Sequence, residues 1–293
     1  MPSSPRFPYS FGWLPDLPDS RDYTKDSPKI APLLAKTPSS VPSSVDLRPF
    51  CTPVFDQGNL GSCTANAAAG LLGYHNRRSF GKDAPLSRLF IYKATRDLMQ
   101  AVGDSGAYIR TAMGSLALCG APPEKYWAYD AAQLDSAPPA FCYSYASNYQ
   151  ALSYFRLDEK AAGIPNKEKG ATLAEIKQTL AGSLPAMFGF RVYESIKGAT
   201  ADGKIPYPAR GESLLGGHAV LAVGYDDEMK IASGGGAGGN ETVGAFLIRN
   251  SWGDGWGERG YGWLPYEYLL GGLAEDWWCL IKAEWTDVEP FGV

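Results

Sequence analysis

Nine of the chain's 22 prolines fall within its first 45 residues, which limits where a core can form. Proline lacks the amide hydrogen that helix interiors and central strands need, so residues 1–45 can be neither. Yet the stretch carries Tyr9, Phe11, Trp13 and Leu14, whose apolar area is costly to leave in water. It is either a loose tail or an extended segment docked on the body by its aromatics. The remainder of the 293 residues, 45% apolar over the whole chain, is enough for one large domain or two lobes.

Beyond residue 45 the pattern changes once. Asp46 to Cys63 reads as a loop-rich lead-in. Ala68, Leu71, Leu72 and His75 then follow helical spacing, so a buried helix is expected from Ser62 or just after it. Further helices are expected at Ser87–Met99, at Ile109–Leu118 and at Leu173–Leu180 behind a cap at Thr172. Later the runs shorten and become strand-like, at His218–Tyr225, Ala245–Ser251, Tyr261–Leu264 and Cys279–Ala283. Helices first and strands later predict an α+β fold with segregated lobes. The glycine run Ser233–Gly239 is expected as the hairpin loop between two of the strands.

Composition excludes several functions. A net charge of −4 gives no electrostatic case for nucleic acid. No apolar run approaches the roughly 20 residues of a membrane helix. Two histidines and no closely spaced cysteine pair leave little for a metal site. The five cysteines are odd in number, so at least one is unpaired within the chain. Met1–Asp22 lacks the apolar segment of a secretory signal, which predicts a cytoplasmic place or export by another route.

Three residues could do chemistry together. Cys63 would open the first helix, where the positive end of the dipole favours thiolate. Taken alone it could equally be a small core residue, but Gly58, Gly61 and Ser62 suggest a backbone that something approaches closely. His218 and Asn250 lie on neighbouring strand runs. Pairing His218 opposite Asn250 would put Tyr225 opposite Val243 and set a carboxamide beside the imidazole. His75, about 18 Å along the helix from Cys63, is expected to be structural. Gly103-Asp-Ser-Gly106 looks like a serine-peptidase nucleophile loop, but the 30 residues after His75 cannot hold the barrel such a site requires.

Three blocks resemble the papain-like cysteine peptidases: Pro53-Val-Phe-Asp-Gln-Gly-Asn-Leu-Gly-Ser-Cys63 preceded by Asp46-Leu-Arg48, Gly217-His-Ala-Val-Leu-Ala-Val-Gly-Tyr225, and Ile248-Arg-Asn-Ser-Trp-Gly-Asp-Gly-Trp-Gly257 with Gly260-Tyr261. The resemblance implies a two-lobed α+β fold: a leading strand and helical lobe over residues 46–150, and a β-rich lobe over 151–293, with the cleft between them. It implies Cys63 as nucleophile, His218 as base and acid, Asn250 as the residue orienting His218, and Gln57 as oxyanion donor. Trp252 would shield the His–Asn hydrogen bond. It implies a monomer acting on peptide or protein substrates with no metal or organic cofactor. An acyltransferase, or a silent peptide-binding homologue, would carry the same residues.

The chain departs from the family's pattern in places. Thr64 stands where tryptophan is usual, and Ala107 where a second glycine is common. Leu60 and Asp104 stand where two cysteines normally form a bridge, so that bridge is not expected. No paired histidines suggest an occluding loop, which favours endopeptidase action. Relatives are often made with an inhibitory N-terminal segment; residues 1–45 are expected in that role, with Phe7–Tyr23 lying across the cleft.

Overall fold

The computed structural model describes residues 8–34, 40–81, 83, 85–158, 168–233 and 241–285. In chain order they form β1 (Trp13–Leu14), β2 (Ser44–Asp46), α1 (Cys63–Phe80), α2 (Arg88–Leu98), β3 (Ala107–Tyr108), α3 (Ile109–Leu118), α4 (Ala140–Ala146) and β4 (Tyr149–Arg156). There follow α5 (Lys169–Ala181), β5 (Ala186–Tyr193), β6 (Leu214–Ala232), β7 (Glu241–Arg249), β8 (Tyr261–Pro265), α6 (Tyr266–Leu270) and β9 (Ala274–Trp285). Helices α1 to α4 precede an antiparallel sheet ordered β4-β9-β5-β6-β7-β8, with β2 added on β6. This is the α+β architecture expected. No helix among the described residues is long and apolar enough to cross a membrane.

Helix α1 lies in the middle because small side chains cover it. Ala65, Ala67, Ala68, Ala69, Gly70 and Gly73 let the sheet and its neighbours approach closely. A Cβ at Gly70 would stand 2.1 Å from Nη1 of Arg249, which reaches across from β7. The helix stops at Gly81, whose left-handed φ of 69° lets its N–H cap the Arg77 carbonyl. Helix α2 is capped by Ser87, whose side chain accepts from Phe90 N. α1 and α3 share one continuous core with the inner strands.

The helices at 63, 88 and 109 begin close to expectation, and the latter two also end there, but two readings need correction. Helix α5 starts at Lys169, and Thr172 lies inside it. The threonine hydroxyl donates back to Glu168 O at 3.3 Å, a bond available within a helix. The register of β6 and β7 also differs. Leu221 pairs Arg249, Tyr225 pairs Phe246, and Lys230, not Tyr225, pairs Val243. Irregularities between Ala222 and Gly224, and between Asp226 and Lys230, shift the ladder as bulges do. Strand β6 begins at Leu214 rather than His218, and His218 pairs Phe190 of β5. The expected Gly-rich loop falls almost wholly outside the described residues. β5 was hidden because nearly every residue in it is buried, leaving no alternation to read.

Close packing at Gly70 sets a test. Gly70→Ala should destabilise by about 1–3 kcal/mol through overpacking. Gly114→Ala, in α3 with nothing within 4 Å of the added carbon, should be neutral or stabilising by up to about 1 kcal/mol. Thermal unfolding of the two variants beside the parent checks both signs.

Candidate active site

Cys63 is the first residue of α1 and fully buried. The backbone N–H groups of Ala219, Gly12, Thr64 and Cys63 itself act to lower its pKa. Burial outweighs them and pushes the thiol up to about 11. Since Ala219 follows His218 on β6, the sulfur lies beside the strand that carries the imidazole.

The protons on His218 can be assigned from its surroundings. Asn250, one residue past the end of β7, accepts from Ser251 N at 2.8 Å through Oδ1. A backbone N–H can only donate, so that atom is oxygen, and the His218 Nε2 2.7 Å away must be the donor. The neutral ring is therefore the Nε2–H tautomer. Its Nδ1 is an open lone pair with no hydrogen-bond partner among the described residues. Trp252 stacks on the ring with centroids 4.5 Å apart, and Phe190 meets it edge-on. Burial lowers the imidazole pKa to about 4, against the bond to Asn250, which raises it.

The Gln57 amide is oriented by the same logic. Ser251 Oγ donates to Gln57 Oε1 at 2.6 Å, so Nε2 faces the cleft. There it donates to Leu60 O at 2.8 Å and to Ser10 O at 3.1 Å. Gln57 N donates to Ser251 O and Gly253 N to Phe55 O, a short antiparallel crossing that joins the Gln57 loop to the Asn250 loop. Ser251 thus supports both side chains, a role the sequence did not reveal.

Leu60 and Asp104 form no bridge, and all five cysteines are free. The Asp104 carboxylate instead accepts from Gly61 N with both oxygens at 2.9 Å and from Tyr92 Oη at 2.6 Å. A polar tie joins the two loops. Thr64 is fully buried. His75 stands apart, half-buried against Tyr74, its pKa lowered to about 4 chiefly by burial.

The N-terminal segment runs past these residues. Tyr9 stacks on Trp252 at 4.4 Å, and Phe11 meets both His218 and Trp252 edge-on at 6.3 Å. Gly12 N donates to Gly217 O, and Ala107 N donates to Gly12 O at 2.7 Å. β1 pairs parallel to β3. Only glycine fits at position 12, where a Cβ would stand 1.8 Å from Gly61 O. Trp13 is buried over Gly189 and Gly217, and its Nε1 donates to Asp276 at 3.1 Å. Farther along, Asp16 and Asp22 join Asp158 and Asp276 around the buried Arg156 of β4.

Comparison with known proteins agrees with this geometry. The sequence model described as papain family cysteine protease matches residues 41–274. An uncharacterized peptidase C1-like protein of Acanthamoeba polyphaga mimivirus is 35% identical over 95% of this chain and 88% of its own length. Mouse cathepsin K is 26% identical over 85% of this chain, which spans 66% of that protein. Among solved structures, xylellain, a cysteine protease from Xylella fastidiosa, is 34% identical with a TM-score of 0.73, over 94% of this chain and 96% of that one. A digestive procathepsin L 3 of Tenebrio molitor, 19% identical, shares the fold with a TM-score of 0.58 over 83% of this chain and 70% of that one. A family match over most of the chain, together with a relative 35% identical along nearly its whole length, makes this protein a member of the papain family of cysteine proteases.

Proposed function

We propose that this thiol peptidase cuts within peptide chains through a thioacyl intermediate on Cys63. The carrying observation is the tautomer of His218, with Nε2–H held by Asn250 and Nδ1 left open as the base. Nδ1 takes the thiol proton as sulfur attacks the carbonyl carbon. The developing oxyanion is met by Gln57 Nε2 and the Cys63 N–H. The amine departs with the proton from Nδ1. Water then attacks the thioester, giving its proton to Nδ1, and the acid leaves as the proton returns to sulfur. Trp252 covers the face of the ring and keeps water from the bond to Asn250. Residues 46–150 form the lobe carrying Cys63, and residues 151–293 the lobe carrying His218 and Asn250.

Endopeptidase action is favoured by the path of residues 9–14. They run from Tyr9 on Trp252 to Trp13 at Asp276, with Gly12 between them near Cys63, which supports an extended chain lying along the groove. The same path supports residues 1–45 as a restraining segment, with Ser10 O against the oxyanion donor. Under this cover both reacting groups are neutral, because burial disfavours each charged form.

Two groups link docking to pH with opposite signs. His218 is depressed to about 4, so its contribution is complete above its ordinary 6.5 and is lost as pH falls through 4. Asp16 is raised to about 7, by burial first and by Asp276 next, against Arg156 and Arg110. Its contribution is complete below its ordinary 3.8 and is lost as pH rises through 7. Over the shared window the two oppose each other, which favours cutting of the segment over acid as the release step. Asp16→Asn leaves the imidazole contribution alone, so full-chain activity of that variant should rise more steeply as pH falls from 6.5 to 4.

Hydrolysis of a diverse peptide library tests the assignment. A chain starting at Pro42 should exceed the full chain, and Cys63→Ala should abolish turnover in both. Equal rates for the two lengths would remove the restraint. In the full chain Gly12→Ala should raise activity by expelling the segment. Gln57→Ala in the short chain should lower kcat by about 10²–10³-fold. By proton NMR the two histidines of the full chain should both titrate near 4, and only His218 should move up in the short chain.

A further inference from the structure

The loop that carries Gln57 is gripped from the helical side by residues outside the three sequence motifs. Arg88 Nη1 donates to Asp56 O at 2.9 Å, and Tyr129 Oη donates to Gln57 O at 2.9 Å. A phenol has one proton, and a carbonyl can only accept it. The 2.5 Å contact between Tyr129 Oη and Ser62 Oγ must therefore be donated by Ser62. Ser62 Oγ in turn accepts from Asn66 Nδ2 at 3.0 Å, and Asn66 Oδ1 accepts from Arg88 Nη1 at 3.2 Å. The chain of donors closes on itself: Arg88 to Asn66, Asn66 to Ser62, Ser62 to Tyr129, Tyr129 to Gln57, with Arg88 also on Asp56.

The arrangement is rigid. The Arg88 guanidinium lies 4.0 Å from the Tyr129 ring centre and 4.6 Å from that of Phe55. Glu124 grips its other edge with two bonds, at 2.9 and 2.7 Å. Ser62 and Asn66 are buried. Burial raises the Tyr129 pKa, so the phenol keeps the proton it donates. Ser62 is the residue before Cys63 and Asn66 lies in the first turn of α1. One network therefore spans the Gln57 carbonyl and the turn that presents the Cys63 N–H.

We propose that Tyr129, held by Arg88, is a positioning residue for oxyanion stabilisation: it fixes the loop of Gln57 against the start of α1, and so the spacing of the two donors. This rests on the reading of Gln57 and Cys63 given above. Charge that develops on the substrate oxygen rewards donors already in place, and small displacements are costly. Alkylation of the same sulfur by iodoacetamide forms no oxyanion and needs neither donor.

The test is Tyr129→Phe in the full chain, made in the parent and in Trp13→Ala, which loosens the segment and leaves the network intact. In Trp13→Ala we expect kcat for a peptidyl amide to fall about tenfold or more, with KM nearly unchanged. The rate of Cys63 alkylation by iodoacetamide, and its pH profile, should stay within about twofold of the reference. Adding Tyr129→Phe to Gln57→Ala should cost little more, because both act on one donor pair. Unchanged kcat would overturn the proposal. So would a parallel fall in alkylation and hydrolysis, which would mark a general structural role, or a full additional loss in the Gln57→Ala background. If Cys63 is alkylated normally but neither full-chain background hydrolyses any peptide, the reading of the site itself fails and this proposal with it.

Discussion

The hydrogen bond from His218 Nε2 to Asn250 Oδ1 is the constraint on which the site depends. Ser251 N makes that oxygen certain, the oxygen makes Nε2 the donor, and the donor leaves Nδ1 as the ring nitrogen without a proton. Each step removes an alternative that a neutral imidazole otherwise keeps open. Ser251 extends the chain to Gln57 through its hydroxyl, so the His218 ring and the Gln57 amide are oriented from one dipeptide. A substitution at Asn250 therefore disturbs more than the ring it touches.

The same loops are joined without covalent help. Asp104 accepts from the Gly61 amide and from Tyr92. Hydrogen bonds to a charged group are roughly twice as strong as neutral ones. The tie does not depend on an oxidising compartment, in keeping with five free cysteines.

Much of the site was legible in the sequence because its parts are local. The Gln57–Cys63 block is one turn and a helix start, and the Asn250–Trp252 block follows one strand end, so each is a short contiguous run whose resemblance to a family motif could be read. The fold class followed from the change of period. What the sequence hid was long-range. The register of β6 on β7 depends on bulges that no alternation marks. Tyr129 and Arg88 act across 72 and 32 residues of separation, through carbonyls whose positions only the fold defines. Tyr9, Phe11 and Trp13 could be read as needing cover and the cleft as its place, but not which ring would meet Trp252, His218 or the floor at Gly189.

The anchoring of the segment also bears on how it could leave. Asp16 and Asp22 are half of the carboxylates around the buried Arg156, and an unpaired buried charge typically costs about 3–5 kcal/mol. Yet Arg156 also holds Asp158 and Asp276 from the body, so withdrawal of the segment does not orphan the guanidinium. Four carboxylates against Arg156 and Arg110 leave an excess of negative charge, and that excess helps hold the Asp16 pKa high. The cluster thus grips the segment while remaining a balanced pair of charges once it is gone. What departure does expose is the sulfur and the imidazole. On the proposed reading of the site, rehydration would remove the burial that disfavours each charged form, and the proton would then pass from Cys63 to Nδ1. Covering the cleft and silencing the nucleophile are, on this view, one act of desolvation.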